Sequence, residues 1–86
     1  MMLRQGDVLL VAVAEIPAES KIVNTSNRIV LAEGEATGHA HVVKSLAVAL
    51  LEYGDERYLR VDGPAQLDHE EHTTIVIDPG CYRVVR

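Results

Sequence analysis

Four histidines occupy two short stretches of an 86-residue chain: His39 and His41 in GEATGHAHVV, residues 34–43, and His69 and His72 in DHEEH, residues 68–72. If residues 39–43 run as a strand, side chains alternate between faces. His39 and His41 then share one face, roughly 7 Å apart along the backbone, with Ala40 on the other. The i,i+3 spacing of His69 and His72 suits one side of a helical turn, or a loop. It is not the i,i+4 spacing of an HExxH metal helix. Were the two stretches to meet, up to four imidazoles and a carboxylate would surround one cavity.

Three chemistries compete for such a cluster. Neutral imidazole nitrogen is a good ligand for Zn, Ni, Cu or Fe, and a nearby Glu can complete the sphere. On this reading the chain resembles the small metal-binding β-barrels called cupins. Those carry a Glu soon after HxH, whereas Val42, Val43 and Lys44 follow here and the next acid is Glu52. The second reading is proton transfer. Histidine titrates near neutrality, so one neutral ring can accept a proton while a second, charged ring donates one. Cleaving RNA without a metal needs that pair: a base for the ribose 2′-OH, an acid for the departing 5′-oxygen, and donors for the charge on the phosphoryl oxygens. The third reading is chance placement on a solvated surface, for which the acids around His69 and His72 speak.

Phosphate contact has its own candidates. Arg4, Lys44, Arg60 and Arg83 supply cations, Thr37 a hydroxyl, and the Gly34 and Gly38 turns bring backbone amides close to an anion. Arg4-Gln5-Gly6-Asp7 otherwise reads as a turn leading into the first strand. Glu70 or Glu71 could orient an imidazole through its second nitrogen, although exposed acids are the plainer reading. Cys81, with no second cysteine, reads as a small buried hydrophobe, and Tyr82 as core.

The elements that must position these residues read as strands. Apolar residues make up 48% of the chain, yet Trp and Phe are missing, so Val, Leu, Ile, Ala and three tyrosines fill the interior. Asp7–Ala14, Arg28–Ala32, His39–Lys44, Ala47–Tyr53, Arg57–Val61, Thr74–Ile77 and Cys81–Val85 are short runs rich in branched residues, with Gln66–Asp68 as a brief pairing segment. Gly54-Asp55-Glu56 is a hairpin signal in which Gly54 takes positive φ. Asp78-Pro79-Gly80 is a turn with Pro and Gly at adjacent positions, as type II prefers. The sum, residues 1–86, is a single all-β domain, a small barrel or two-layer sandwich of six or seven short antiparallel strands. A short helix over residues 46–53 is the competing reading of that segment.

The formal charge of −5 argues against broad binding of long nucleic acid, which needs many Lys/Arg–phosphate contacts. It leaves a compact anion open, held by a local basic patch. The first apolar run is interrupted at Asp7 and is too short to span a membrane, and no targeting signal is read. One cysteine excludes an internal disulfide and fits a cytosolic setting. So small and aliphatic a chain is expected to bury surface against a second copy of itself.

Three blocks in order, RQGDVLL, LAEGEATGHAHVV and LDHEEHTTIVIDPGCYRVV, resemble those of small bacterial and bacteriophage proteins. They are similar to the small dimeric ring nucleases linked to type III CRISPR defence and to phage counter-defence. The resemblance spans nearly the whole chain, with residues 16–28 and 44–57 least patterned. It implies cleavage of cyclic oligoadenylate second messengers without a metal or other cofactor, with His39, His41, His69 and His72 as the acid and base groups. A two-fold symmetric ring would suit a homodimer whose sites face each other. The first expectation is therefore a metal-independent ribonuclease in which His41 and His72 transfer protons and His39 and His69 assist. The alternatives are a metal-binding β-barrel and a non-catalytic module that sequesters a nucleotide or a partner protein.

Overall fold

The branched-aliphatic runs do become strands. In a computed structural model, which describes residues 1–33 and 39–86, they form two antiparallel sheets. The ten strands of the described residues are β1 (Met2–Gln5), β2 (Val8–Val13), β3 (Lys21–Asn24), β4 (Arg28–Glu33), β5 (Ala40–Lys44), β6 (Val48–Tyr53), β7 (Glu56–Val61), β8 (Ala65–His69), β9 (His72–Ile77) and β10 (Gly80–Val85). One sheet runs β1-β2-β10-β7-β6-β3 and the other β4-β5-β8-β9. The arrangement is sandwich-like and does not close into a barrel.

Period-two alternation builds the core between the sheets. Val8 and Leu10 of β2, Leu59 and Val61 of β7, and Tyr82 and Val84 of β10 meet Ile29 of β4, Val43 of β5, Leu67 of β8 and Ile77 of β9. Tyr82 is the one aromatic in this core, and its hydroxyl donates to the Asp78 carbonyl at 2.7 Å, so its polar end is satisfied. The Arg57 guanidinium reaches across to donate to the Leu31 carbonyl at 2.7 Å, pinning β7 to β4.

Turn chemistry sets the registers. Gly6-Asp7 joins β1 to β2 and Gly54-Asp55 joins β6 to β7, each glycine at φ +59° with no positive-φ residue after it. That is the two-residue hairpin loop with glycine first, whose twist matches the flanking strands. Glu70-Glu71 joins β8 to β9 without any positive φ, and its register shifts just upstream, between Leu67 and His69. Such a bulge re-aims the residues beside it.

Several expectations change. There are ten strands among the described residues rather than six or seven, because β1 and β3 are four-residue edge strands too short to carry a period-two signal. The strand expected over Ala47–Tyr53 is present as β6, and the competing helix does not form: β6 lies between β7 and β3, where cross-strand pairing outweighs the helix preference of Ala and Leu. His69 and His72 do not share a helical turn but face each other across a hairpin. Asp78-Pro79-Gly80 carries the chain from one sheet to the other, with Gly80 at φ +152° rather than the about +80° of a type II turn. Among the described residues no helix is long and apolar enough to cross a membrane.

Replacing Leu59, fully buried in β7, by Ala is expected to cost about 2–5 kcal/mol. The same change at Leu46, 93% exposed, should stay within about 0.5 kcal/mol. Urea unfolding of both variants, with unchanged m-values, checks the pair.

Candidate functional site

The two histidine stretches meet at one end of the core. His41 lies on β5 with Val43 two residues on, so its ring enters the space between the sheets, where it is only 3% exposed. The Glu70-Glu71 hairpin brings His69 and His72 opposite one another, and the bulge after Leu67 turns them toward β5. Ring centroids lie 4.4 Å apart for His41–His69, 4.6 Å for His69–His72 and 5.7 Å for His41–His72. His39, just before β5, sits 5.8 Å from His69 at the rim. One nitrogen from each of His41, His69 and His72 falls within 4.8 Å of the others.

The turn after β1 supplies the rest of the site. Gln5 is buried, and its amide NH2 donates to the Leu67 carbonyl at 2.9 Å and to the Thr73 carbonyl at 3.0 Å. Both donors being used, its Oε1 must accept, and it takes the Nδ1–H of His41 at 2.9 Å. The hydrogen of neutral His41 is thereby placed on Nδ1, and Nε2 carries a lone pair. Asp7 Oδ1 stands 3.4 Å from that Nε2, with Oδ2 at the same distance from the Arg86 guanidinium. Gly6 lies against the rings: a β-carbon there would stand 2.8 Å from His72 Nε2 and 3.2 Å from His41 Cε1.

His69 is held the other way round. Its Nδ1 accepts the Glu71 backbone N–H at 3.0 Å, so the hydrogen of the neutral ring is on Nε2. His72 is exposed and no hydrogen bond of the described residues ties it to one tautomer. The two glutamates of the turn clasp β5: Glu70 accepts the Ala40 N–H at 3.1 Å and Glu71 approaches His39 Nδ1 at 3.3 Å.

Electrostatics separate the groups further. Burial first, and then repulsion from a proton on the neighbouring His69, pushes the His41 pKa below its ordinary 6.5, against the pull of Asp7. His41 is therefore neutral near pH 7, its Nε2 lone pair lying beside Asp7 in a buried ring. The hydrogen bond from Arg86 holds Asp7 below the usual carboxylate range. Backbone donors at Glu70 itself and at Ala40 do the same for Glu70. Both carboxylates stay charged beside the rings.

Of the cations expected at phosphate, Lys44 alone lines a hollow that His69 also lines. Arg60 and Arg83 lie on the outer face of the six-stranded sheet, paired with Asp62 at 3.3 Å and Glu56 at 3.5 Å. Arg4 alternates with Gln5 on β1 and so faces away from it. Thr37 and Gly38, like Gly34, lie outside the described residues. Cys81 is a free, half-buried thiol, not a fully buried one, because it points outward from β10 beside Arg60 and Ile22. Gln5, Gly6 and Asp7 were not expected at the site. Their block stood out in the sequence, but only the sheet packing shows that it abuts residues more than thirty positions away.

The chain belongs to the family described as a domain of unknown function (DUF8820), whose model matches residues 4–86. No curated protein and no solved structure matches it.

Two outcomes are expected. Gly6→Ala should destabilise the protein by about 1–2 kcal/mol, the cost of a left-handed alanine, and should also displace the His72 ring, read as a shift of its imidazole NMR signals. The depressed His41 pKa makes the unfolded state bind the proton more readily. Its contribution to stability is therefore full above pH 6.5 and is lost as pH falls through the lower folded value. His41→Gln should flatten the stability–pH curve in the region just below 6.5, measured by urea unfolding across that range.

Proposed function

We propose that this protein is a phosphodiesterase that cleaves RNA linkages by histidine acid–base catalysis, acting on small cyclic oligoadenylates in the cytosol as a homodimer. The observation that carries the chemistry is the opposite tautomers of His41 and His69, fixed by Gln5 and by the Glu71 N–H, with their rings 4.4 Å apart. A lone pair and an N–H donor are thus presented side by side. His41 Nε2 removes the proton of a ribose 2′-OH, and the resulting imidazolium is stabilised by Asp7. The 2′-oxygen attacks phosphorus while the bond to the 5′-oxygen breaks. The neutral His69 Nε2–H donates to a phosphoryl oxygen. His72, free to carry hydrogens on both nitrogens, protonates the departing 5′-oxygen. The products are a 2′,3′-cyclic phosphate and a 5′-hydroxyl. His39 and Glu71 form the rim.

The substrate class rests on the resemblance of the three sequence blocks and on size and charge. A compact ring can be gripped by a small acidic protein through a local basic patch, and a two-fold ring fits a two-fold dimer. The single free thiol of Cys81 suits a reducing compartment.

A metal centre is the second reading, favoured by the convergence of three imidazole nitrogens within 4.8 Å. A ligand nitrogen must offer a lone pair. For His69 that means either giving up the Glu71 N–H on Nδ1 or moving a hydrogen to face it, so metal binding breaks a contact that proton transfer keeps.

Labelled cyclic tetra-adenylate incubated with the protein in excess EDTA is expected to yield linear products ending in 2′,3′-cyclic phosphate. His41→Gln and His72→Gln should each slow the reaction by about 10²–10⁴-fold. Loss of cleavage in EDTA with recovery on added Zn²⁺ would establish the metal centre instead, and ligand held but returned intact after denaturation would establish a sequestering module. Light scattering is expected to give the mass of two chains.

A further inference from the structure

We infer that the outer face of the four-stranded sheet is a binding lane for a single-stranded nucleotide segment, with Arg28 and Lys44 on its phosphates and one end opening at His69. The inference deepens the phosphodiesterase reading and rests on it for the identity of the occupant.

The strand registers lay the lane out. Arg28 of β4 pairs with Lys44 of β5, and Lys44 pairs with Gln66 of β8. Ile29, Val43 and Leu67 point into the core, so by alternation Arg28, Lys44 and Gln66 form a cross-strand row on the outside. The next row inward, Val42 and Asp68, leads to the bulge and to His69. Two hollows follow these rows. One, of about 300 Å³, has Arg28, Lys44, Asp68, His69 and Glu70 in its wall. The other, of about 550 Å³, is lined by Asn27, Arg28, Lys44, Ser45, Leu46 and Gln66. Arg28 and Lys44 belong to both, so the hollows adjoin. Each falls within the range of about 300–1,000 Å³ usual for small-ligand sites.

Charge decides what the lane accepts. The acids at its histidine end, Asp68 and Glu70, are charged but hydrogen-bonded. Asp68 takes the Lys44 ammonium at 3.1 Å, the Gln66 amide at 3.0 Å and the Thr74 hydroxyl at 2.9 Å, while Glu70 takes the Ala40 N–H. Arg28 has no ion-pair partner among the described residues, and its guanidinium suits bidentate contact with a phosphate. Arg28 and Lys44 are the only charged residues of the larger hollow; Lys44 is already paired with Asp68, so the unpaired positive charge there is that of Arg28, in a protein of net charge −5. Leu46, 93% exposed beside them, offers an apolar surface to a base, and the Asn27 amide a donor and acceptor for its edge. A duplex would demand a longer basic track than this. A few unpaired nucleotides, with phosphates at Arg28 and Lys44 and the chain leading toward His69 at the edge of the histidine cluster, suit its mixed lining.

The test is fluorescence anisotropy with a labelled linear 2′-deoxy-tetra-adenylate, which has no 2′-OH and cannot be cleaved by this chemistry. Arg28→Ala is expected to weaken binding about tenfold or more. It should also reduce the slope of log affinity against log salt by about 0.7, the signature of one lost phosphate contact on a single strand. Lys21→Ala, on the far edge strand β3 of the other sheet, should change neither quantity. The lane is overturned if wild-type protein does not bind the probe, if Arg28→Ala binds like wild type, or if affinity falls with the salt slope unchanged. Cleavage of cyclic tetra-adenylate by the His41→Gln variant at the wild-type rate would overturn the acid–base reading, while the probe's salt-dependent loss on Arg28→Ala would still uphold the lane.

Discussion

Gln5 makes three hydrogen bonds at the seam between the sheets, and the histidine site depends on them. Two go to carbonyls on β8 and β9 and the third to His41 on β5, so one side chain joins an edge strand of the larger sheet to three strands of the smaller. A buried primary amide has two donors and an acceptor, and here the fold gives each a partner of the right kind. A leucine of similar volume would fill the space but leave two carbonyls and an imidazole N–H unsatisfied, each a penalty of about 1–3 kcal/mol. The same three bonds decide which nitrogen of His41 carries the hydrogen. Packing and chemistry are here one constraint.

Four rings of the same type occupy four environments. His41 is buried and anchored through Nδ1, while His69 is half-buried and anchored through the opposite polarity at the same atom. His72 is exposed, and His39 leans on a carboxylate. A cluster of like groups with unlike surroundings can divide a reaction among them, since environment determines which ring accepts, which donates and which stays neutral. The Glu70-Glu71 turn contributes twice: its backbone fixes His69, and its side chains secure the start of β5 and the rim histidine.

The acidic balance of the chain leaves room for the anionic substrate we propose because charge is distributed unevenly over its faces. Asp7 and Glu70 lie beside the rings, each held by a donor that lowers its pKa. Arg28 and Lys44 share the outer row of the smaller sheet, where Lys44 pairs with Asp68 and Arg28 has no ion pair among the described residues. Arg60 and Arg83 are spent in pairs with Asp62 and Glu56 on the larger one. Counting cations along the sequence cannot make this separation, and Arg28, which like Arg4 and Lys21 has no ion pair among the described residues, was not among the residues singled out by pattern.

The sequence by itself determined the class of fold, since branched residues in short runs, punctuated by Gly-Asp and Pro-Gly, encode strands and turns through local sterics alone. Gly54 at the tip of the β6–β7 hairpin and Tyr82 in the core were legible for that reason. It also marked the histidines as a group, because their clustering is a property of the linear order. It did not determine which atoms meet. Whether HEEH turns as helix or hairpin depends on strand pairing on both sides, and β1 and β3 exist only because longer neighbours offer them free edges. The role of Gln5-Gly6-Asp7 was decided in space: hydrogen bonds spanning 62 and 68 positions leave no trace in local pattern, and only the packing of one sheet on the other brings their partners within reach.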